Sequence, residues 1–191
     1  MEELKIIVFL MVELLALSMA IFLAANFYFC VRAGGCPYVP TGKKRIGRII
    51  EEADLKEGSF VLELGCGDGY FLRRAAQERK IKGLGVDIHG IALLKGVILA
   101  RLAKIKNIKF QRGDLFGCDI SRAQVIYLFL ISGVLEKLAP KLKKECSSGT
   151  LIISHGFKLP RFDMYLFKEL DHGSWNMSYQ RKTYFYRYYA D

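Results

Sequence analysis

The chain has 191 residues, a formal net charge of +10 and 52% hydrophobic residues, which suits one folded domain and excludes a disordered chain. Its five cysteines, Cys30, Cys36, Cys66, Cys118 and Cys146, form no C-x-x-C pair, which argues against a disulfide framework or a zinc site and for a reducing compartment. The positive balance fits a partner with an anionic surface, either nucleic acid or the cytoplasmic face of a membrane.

Residues 6–31 form an apolar run interrupted only by Glu13, Ser18 and Asn26. A membrane-spanning helix needs about 20 apolar residues, and Glu13 at membrane depth costs roughly 2.5–3.5 kcal/mol, which the many Leu, Ile, Phe, Val and Met residues outweigh. The run is too long, and the leading Met-Glu-Glu-Leu-Lys too acidic, for a secretory signal. We expect residues 1–32 to be a single-pass anchor and residues 33–191 to be the functional domain. Arg32, Lys43, Lys44, Arg45 and Arg48 follow the run and only Lys5 precedes it, which places the domain on the cytoplasmic side. The stretch 33–41, with two glycines and two prolines around Tyr38-Val39, reads as a non-helical connector built to pack on something. Thr41 is then expected to cap a helix over 42–53.

Residues 60–64 read as a short buried strand carrying an acid, Glu63. A loop with glycines at alternate positions follows (Gly65, Gly67, Gly69), and helical composition runs from Phe71 to Arg79. Strand, glycine loop and helix N-terminus make a nucleotide-cofactor site in an α/β sheet. A dinucleotide fingerprint, G-x-G-x-x-G, fails at Tyr70, and Glu63 would face a pyrophosphate. The acid suits a cofactor with a cationic end. S-adenosylmethionine (SAM) has a sulfonium and an ammonium and no phosphate, and E-x-G-x-G-x-G resembles the first motif of class I SAM-dependent methyltransferases.

The second strand, 83–87, ends in Asp87, placed to accept from ribose hydroxyls. A third strand, 108–112, leads to Asp114, placed for an adenine amino group, with Leu115 or Phe116 against the ring. Three acids ending successive strands at one sheet edge are the strongest constellation in the chain. The fourth strand, 124–130, has no acid-Pro-Pro-Tyr sequence, which counts against a nucleobase target; Tyr127 and Phe129 are its candidates for lining the site. A helix over 132–145 follows, with Pro140 starting a second turn or helix. A fifth strand spans 150–155, and 164–170 with 183–189 form an antiparallel hairpin at the sheet edge. The expected fold is α/β, a Rossmann-like seven-stranded class I methyltransferase sheet, mostly parallel with an antiparallel C-terminal hairpin, behind an N-terminal transmembrane helix. No metal site is expected.

Pro37-Tyr38-Val39-Pro40-Thr41, Glu63 to Gly69, Gly85-Val86-Asp87-Ile88, Phe129 to Lys144 and Ile152 to Phe157 together resemble the archaeal broad-specificity protein lysine methyltransferase. They are similar also to its mitochondrial relatives, which methylate lysines of the ATP synthase c subunit and the adenine nucleotide translocase. The resemblance covers roughly residues 37–157. It implies a protein substrate and SAM as cofactor, with no nucleic acid partner. It places Thr41 over the methionine end of the cofactor, Glu63, Gly65 and Gly67 at its amino acid part, Asp87 at the ribose and Asp114 at the adenine, with Cys66, Asp68, Ile88 and Leu115 beside them. Two departures stand out: Tyr70 where many relatives have Arg, and Gly156 where archaeal members have Glu.

The reaction it implies is in-line displacement at the methyl carbon by a neutral lysine amine. Alignment can contribute about 7–11 kcal/mol. Deprotonating the amine costs about 4 kcal/mol at neutral pH, less in an apolar mouth. Tyr127, Phe129 and His155 are the candidates near the reacting atoms, acting by position. Competing readings are a small-molecule, lipid or quinone methyltransferase, an RNA methyltransferase favoured by the charge, and a SAM-binding regulator without turnover.

Overall fold

The computed structural model describes residues 1–32, 42–173 and 181–190. The chain divides into two units, Met1–Pro37 and Tyr38–Asp191.

Among its described residues the first unit is one helix, α1 (Glu2–Arg32). Its 31 residues rise about 46 Å at 1.5 Å per residue, more than the roughly 30 Å of a bilayer core. Within it, Glu2–Ala25 is long and apolar enough to cross a membrane by length and composition, a test that signal sequences also pass. Side chains such as Phe9, Leu14 and Leu15 are exposed. Ser18 satisfies its hydroxyl within the helix, donating to the Leu15 carbonyl at 2.8 Å.

The second unit is a seven-stranded sheet: β1 (Phe60–Leu64), β2 (Lys82–Asp87), β3 (Ile108–Arg112), β4 (Val125–Leu128), β5 (Leu151–His155), β6 (Leu166–Asp171) and β7 (Lys182–Arg187). The order is β3-β2-β1-β4-β5-β7-β6. The first five strands are parallel, and β7 inserts antiparallel between β5 and β6. Order reverses between β1 and β4, the switch point beside which open α/β sheets bind ligands.

Alternation along β1 explains the two cores. Val61 faces α2 (Lys43–Glu52) and α3 (Tyr70–Arg79), with Ile46, Ile49, Ile50, Phe71 and Leu72. Leu62 and Leu64 face α5 (Ser132–Glu145), with Leu135, Leu138 and Leu142. Pro140 does not start a new helix as expected; α5 runs through it. The fourth strand ends at Leu128, so Phe129 and Leu130 lie past it. The N-cap of α2 is Gly42, with no side-chain cap; Thr41 lies outside the described residues.

One helix, α4 (Gly90–Leu102), had no sequence expectation. It packs through Gly96, where a Cβ would lie 2.7 Å from the Asp68 carbonyl and 3.0 Å from Phe110. Alanine would gain helix propensity, but the Asp68 backbone has nowhere to move. Gly96→Ala is therefore expected to destabilise the domain by about 1–2 kcal/mol, seen as a lower melting temperature. A raised melting temperature would mean that propensity wins and the close approach is relaxed.

Candidate active site

The glycine loop is a sequence of left-handed turns. Gly65, Gly67 and Gly69 have φ of +72°, +54° and +62°. At Gly69 a Cβ would also fall 2.3 Å from the Phe110 ring. The Gly65 and Cys66 N–H groups both donate to the Val86 carbonyl, at 2.8 and 3.1 Å, tying the loop to β2. Gly69 closes the turn by donating to the Cys66 carbonyl at 2.7 Å and leads into α3.

Asp87 organises the facing side. One carboxylate oxygen accepts from the Gly67 N–H at 2.7 Å and the other from the His89 N–H at 2.7 Å. His89 then caps α4, its Nδ1 accepting from the Ala92 N–H at 3.2 Å. Glu63 is 6% exposed and accepts from the Leu72 N–H in the first turn of α3 at 3.1 Å. Burial, with the Asp68 and Asp87 charges nearby, pushes its carboxyl up to about 8 against the pull of that N–H.

The neighbouring expected residues divide. Asp68 is committed to ion pairs with Lys95 (2.9 Å) and Arg73 (3.6 Å), stitching α4 and α3 to the loop. Cys66 is buried, its thiol pushed far up by desolvation, so it packs rather than reacts. Ile88 is half-buried between Asp87 and His89. Asp114 is exposed and caps a single-turn 3-10 helix (Leu115–Gly117) through the Phe116 N–H at 3.0 Å, while Leu115 packs half-buried on the core.

Beyond the switch point, Tyr127 departs from expectation. It is 2% exposed and stacked flat on Phe71, centroids 3.8 Å apart, a core position under α3 rather than the site wall. Phe129 is half-buried at the carboxyl edge, its ring 4.8 Å from that of His155. His155 is fully buried, and its Nδ1 meets the Thr183 hydroxyl at 2.8 Å. The same hydroxyl meets His172 Nε2 at 2.8 Å. Desolvation first, then the charges of His172 and Arg45, pushes His155 down to about 3. A group so reluctant to be protonated cannot take a proton from an amine. The sequence shows Arg45 only as part of a basic cluster, and His172 and Thr183 carry no signal there, because only the antiparallel pairing of β7 with β5 and β6 sets Thr183 between the two histidines.

The carboxyl edge of β1, β2 and β3 thus presents Glu63, Asp87 and Asp114 around a glycine loop. Among the described residues, the hydrogen bonds of Glu63 and Asp87 come from backbone N–H groups, and neither acid forms a salt bridge, although the Arg73 charge acts on Glu63. That donor set repels a pyrophosphate and suits a cation beside hydroxyl donors. A cleft lined by Ser59, Gln124, Thr150 and Arg187 lies at the amino ends of β4 and β5, away from these acids.

The sheet order and this site define a SAM-dependent methyltransferase of the Rossmann-like class, and known proteins agree. An RNA methyltransferase from Salinibacter ruber, solved with S-adenosyl-L-homocysteine, superposes with a TM-score of 0.71 at 33% identity, covering 78% of this chain and 93% of that one. A SAM-dependent methyltransferase from Geobacter sulfurreducens, also solved with S-adenosyl-L-homocysteine, shares the fold with a TM-score of 0.55 at 20% identity, over 66% of this chain and 54% of that one. Residues 63–165, just over half the chain, match the ANTKMT methyltransferase domain. A protein-lysine N-methyltransferase from Saccharolobus islandicus is 37% identical over 127 residues, 64% of this chain and 78% of that protein. The chain belongs to the ANTKMT methyltransferase domain family.

Proposed function

We propose that this chain is a protein-lysine N-methyltransferase held at a membrane by α1. The observation that carries the lysine reading is the 37% identity to a protein-lysine N-methyltransferase across most of that protein's length. SAM supplies a methyl group on a sulfonium that a neutral amine can displace. Glu63 and the loop from Gly65 to Gly69 would hold its amino acid end, Asp87 its ribose hydroxyls and Asp114 its adenine. Phe129 and the apolar end of β4 desolvate an incoming lysine, which lowers the amine pKa. With His155 held neutral, catalysis rests on alignment, which can supply about 7–11 kcal/mol.

Glu63 gives a first check. Its ionised form is the one an ammonium prefers, and ionisation is resisted up to about pH 8. SAM affinity of the full chain is therefore expected to rise with pH towards that value and then level. Glu63→Gln should weaken binding about tenfold, the loss of one hydrogen bond to a charged group, and remove the rise. The stability sign is opposite. A carboxyl whose folded value is raised favours folding at low pH, and that contribution is lost as pH climbs from the unfolded value towards 8. The glutamine variant is thus expected to be more stable than the parent in alkaline buffer. A pH-independent affinity would remove Glu63 from the site.

Support for the membrane reading is the apolar span Glu2–Ala25. Arg32 at the end of α1, with Lys43, Lys44 and Arg48 after it, stands against Lys5 alone at the N-terminal end of the span, the bias of a cytoplasmic domain. Arg45 leaves that cluster, because it is buried in the domain. An RNA substrate is the second reading, favoured by the Salinibacter ruber relative and by the net charge of +10. The two separate when labelled SAM and the full chain are incubated with a membrane extract. Label in a protein band that survives ribonuclease and lipid extraction supports the proposal. Label lost to ribonuclease, or moving with lipid, overturns it.

A further inference from the structure

Helix α4 carries apolar residues on both faces. Leu93, Gly96 and Ala100 are buried against the sheet, whereas Ile91, Leu94, Ile98 and Leu102 are 65%, 60%, 48% and 75% exposed. At 100° per residue these four fall within an arc of about 80°, one continuous stripe along the helix. The domain's other large exposed apolar side chains among the described residues, Phe116, Met164, Phe167 and Tyr189, lie on other elements. Single exposed residues need no explanation, but a stripe over the whole length of a helix does.

Charge indicates what covers it. Between Asp87 and Asp114 the chain holds six basic residues, Lys95, Arg101, Lys104, Lys106, Lys109 and Arg112, and no acid. All six are exposed. Lys95 and Arg101 flank the stripe on either side, Lys95 while also reaching Asp68, and Lys104 and Lys106 continue beyond its end. An apolar stripe bordered by cations, with no carboxylate along it, matches a helix lying in the interface of an anionic bilayer, its apolar face at the acyl boundary and its cations among lipid phosphates.

We propose that α4 is a docking surface for an anionic lipid bilayer. The proposal rests on the membrane-held reading above and specifies how the domain meets its substrate. The cap of α4, His89, is bonded to Asp87, so a bilayer under α4 brings the carboxyl edge of β2 to the headgroups. The preferred substrate is then a lysine of a membrane protein close to the lipid surface.

The test uses the full chain with Trp175→Phe and Ile98→Trp, which leaves one tryptophan on the stripe. It is mixed with phosphatidylcholine vesicles with and without phosphatidylserine, carrying bromines on the acyl chains. Flotation reads α1, and tryptophan quenching reads α4. The expected result is flotation in both, with a blue shift and loss of emission that is larger with phosphatidylserine. Adding Leu94→Glu should abolish the quenching while flotation and SAM binding persist. Flotation with unquenched emission overturns the docking surface and leaves the anchor standing. A blue shift without quenching means that a second copy or another segment of the chain covers the stripe, and overturns it too. Failure to float overturns both readings.

Discussion

Asp87→Ala is expected to weaken SAM binding by about a hundredfold, the loss of two hydrogen bonds to a charged acceptor. The two carboxylate oxygens of Asp87 fix the Gly67 and His89 N–H groups, each at 2.7 Å, so the carboxylate shapes the glycine loop and the start of α4 before any cofactor arrives. Removing it would take away the acceptor proposed for the ribose and leave two backbone donors to find water, so loop order and direct contact would be lost together. Asp87→Asn keeps one good acceptor and should recover part of the affinity. Calorimetric titration of the full chain with SAM measures both, with a melting curve to show that the fold survives. Unchanged affinity in the alanine variant would place the cofactor elsewhere.

The second large effect is on acid stability. His155 is held near a pKa of 3 and His172 near 4, each chiefly by desolvation. In the unfolded chain both titrate near 6.5. A base whose folded value is depressed supports folding above its unfolded value and loses that support as pH falls towards the folded one. For His155 the limiting loss is about 5 kcal/mol, with about 2 kcal/mol already gone by about pH 5. Glu63 acts in the opposite sense over part of this range, since its raised carboxyl favours folding as pH falls below 8. The informative quantity is therefore the difference between parent and variant. His155→Asn is expected to lose stability at neutral pH but to show a shallower decline between about pH 6.5 and 5, seen in denaturant melts. Parallel slopes would mean that His155 is reached by water in the folded protein.

The sheet edge was legible because its chemistry is local. Glu63, Asp87 and Asp114 each lie at or just past the carboxyl end of a short extended segment, and the structure sets those segments side by side as β1, β2 and β3. Asp68 reads like its neighbours in sequence, but only the packing of α4 brings Lys95 to it. Tyr127 sits two residues before Phe129, and alternation alone puts both on one face; that α3 covers the first with Phe71 depends on tertiary packing. Helix α4 escaped because apolar residues lie on both its buried and its exposed face, which erases the 3.6-residue period by which a surface helix announces itself. His155 was a candidate by its place at a strand end, but its partners were not legible: His155, His172 and Thr183 have no motif spacing, and strand pairing alone unites them.

In the proposed reaction the amine of a protein lysine receives the methyl group. The most direct test is to incubate the full chain with labelled SAM and native membranes, hydrolyse the labelled protein to amino acids and separate the products. The expected result is label in methylated lysine, absent when Asp87→Ala replaces the parent. Label in any other amino acid, in a nucleoside or in lipid would contradict it.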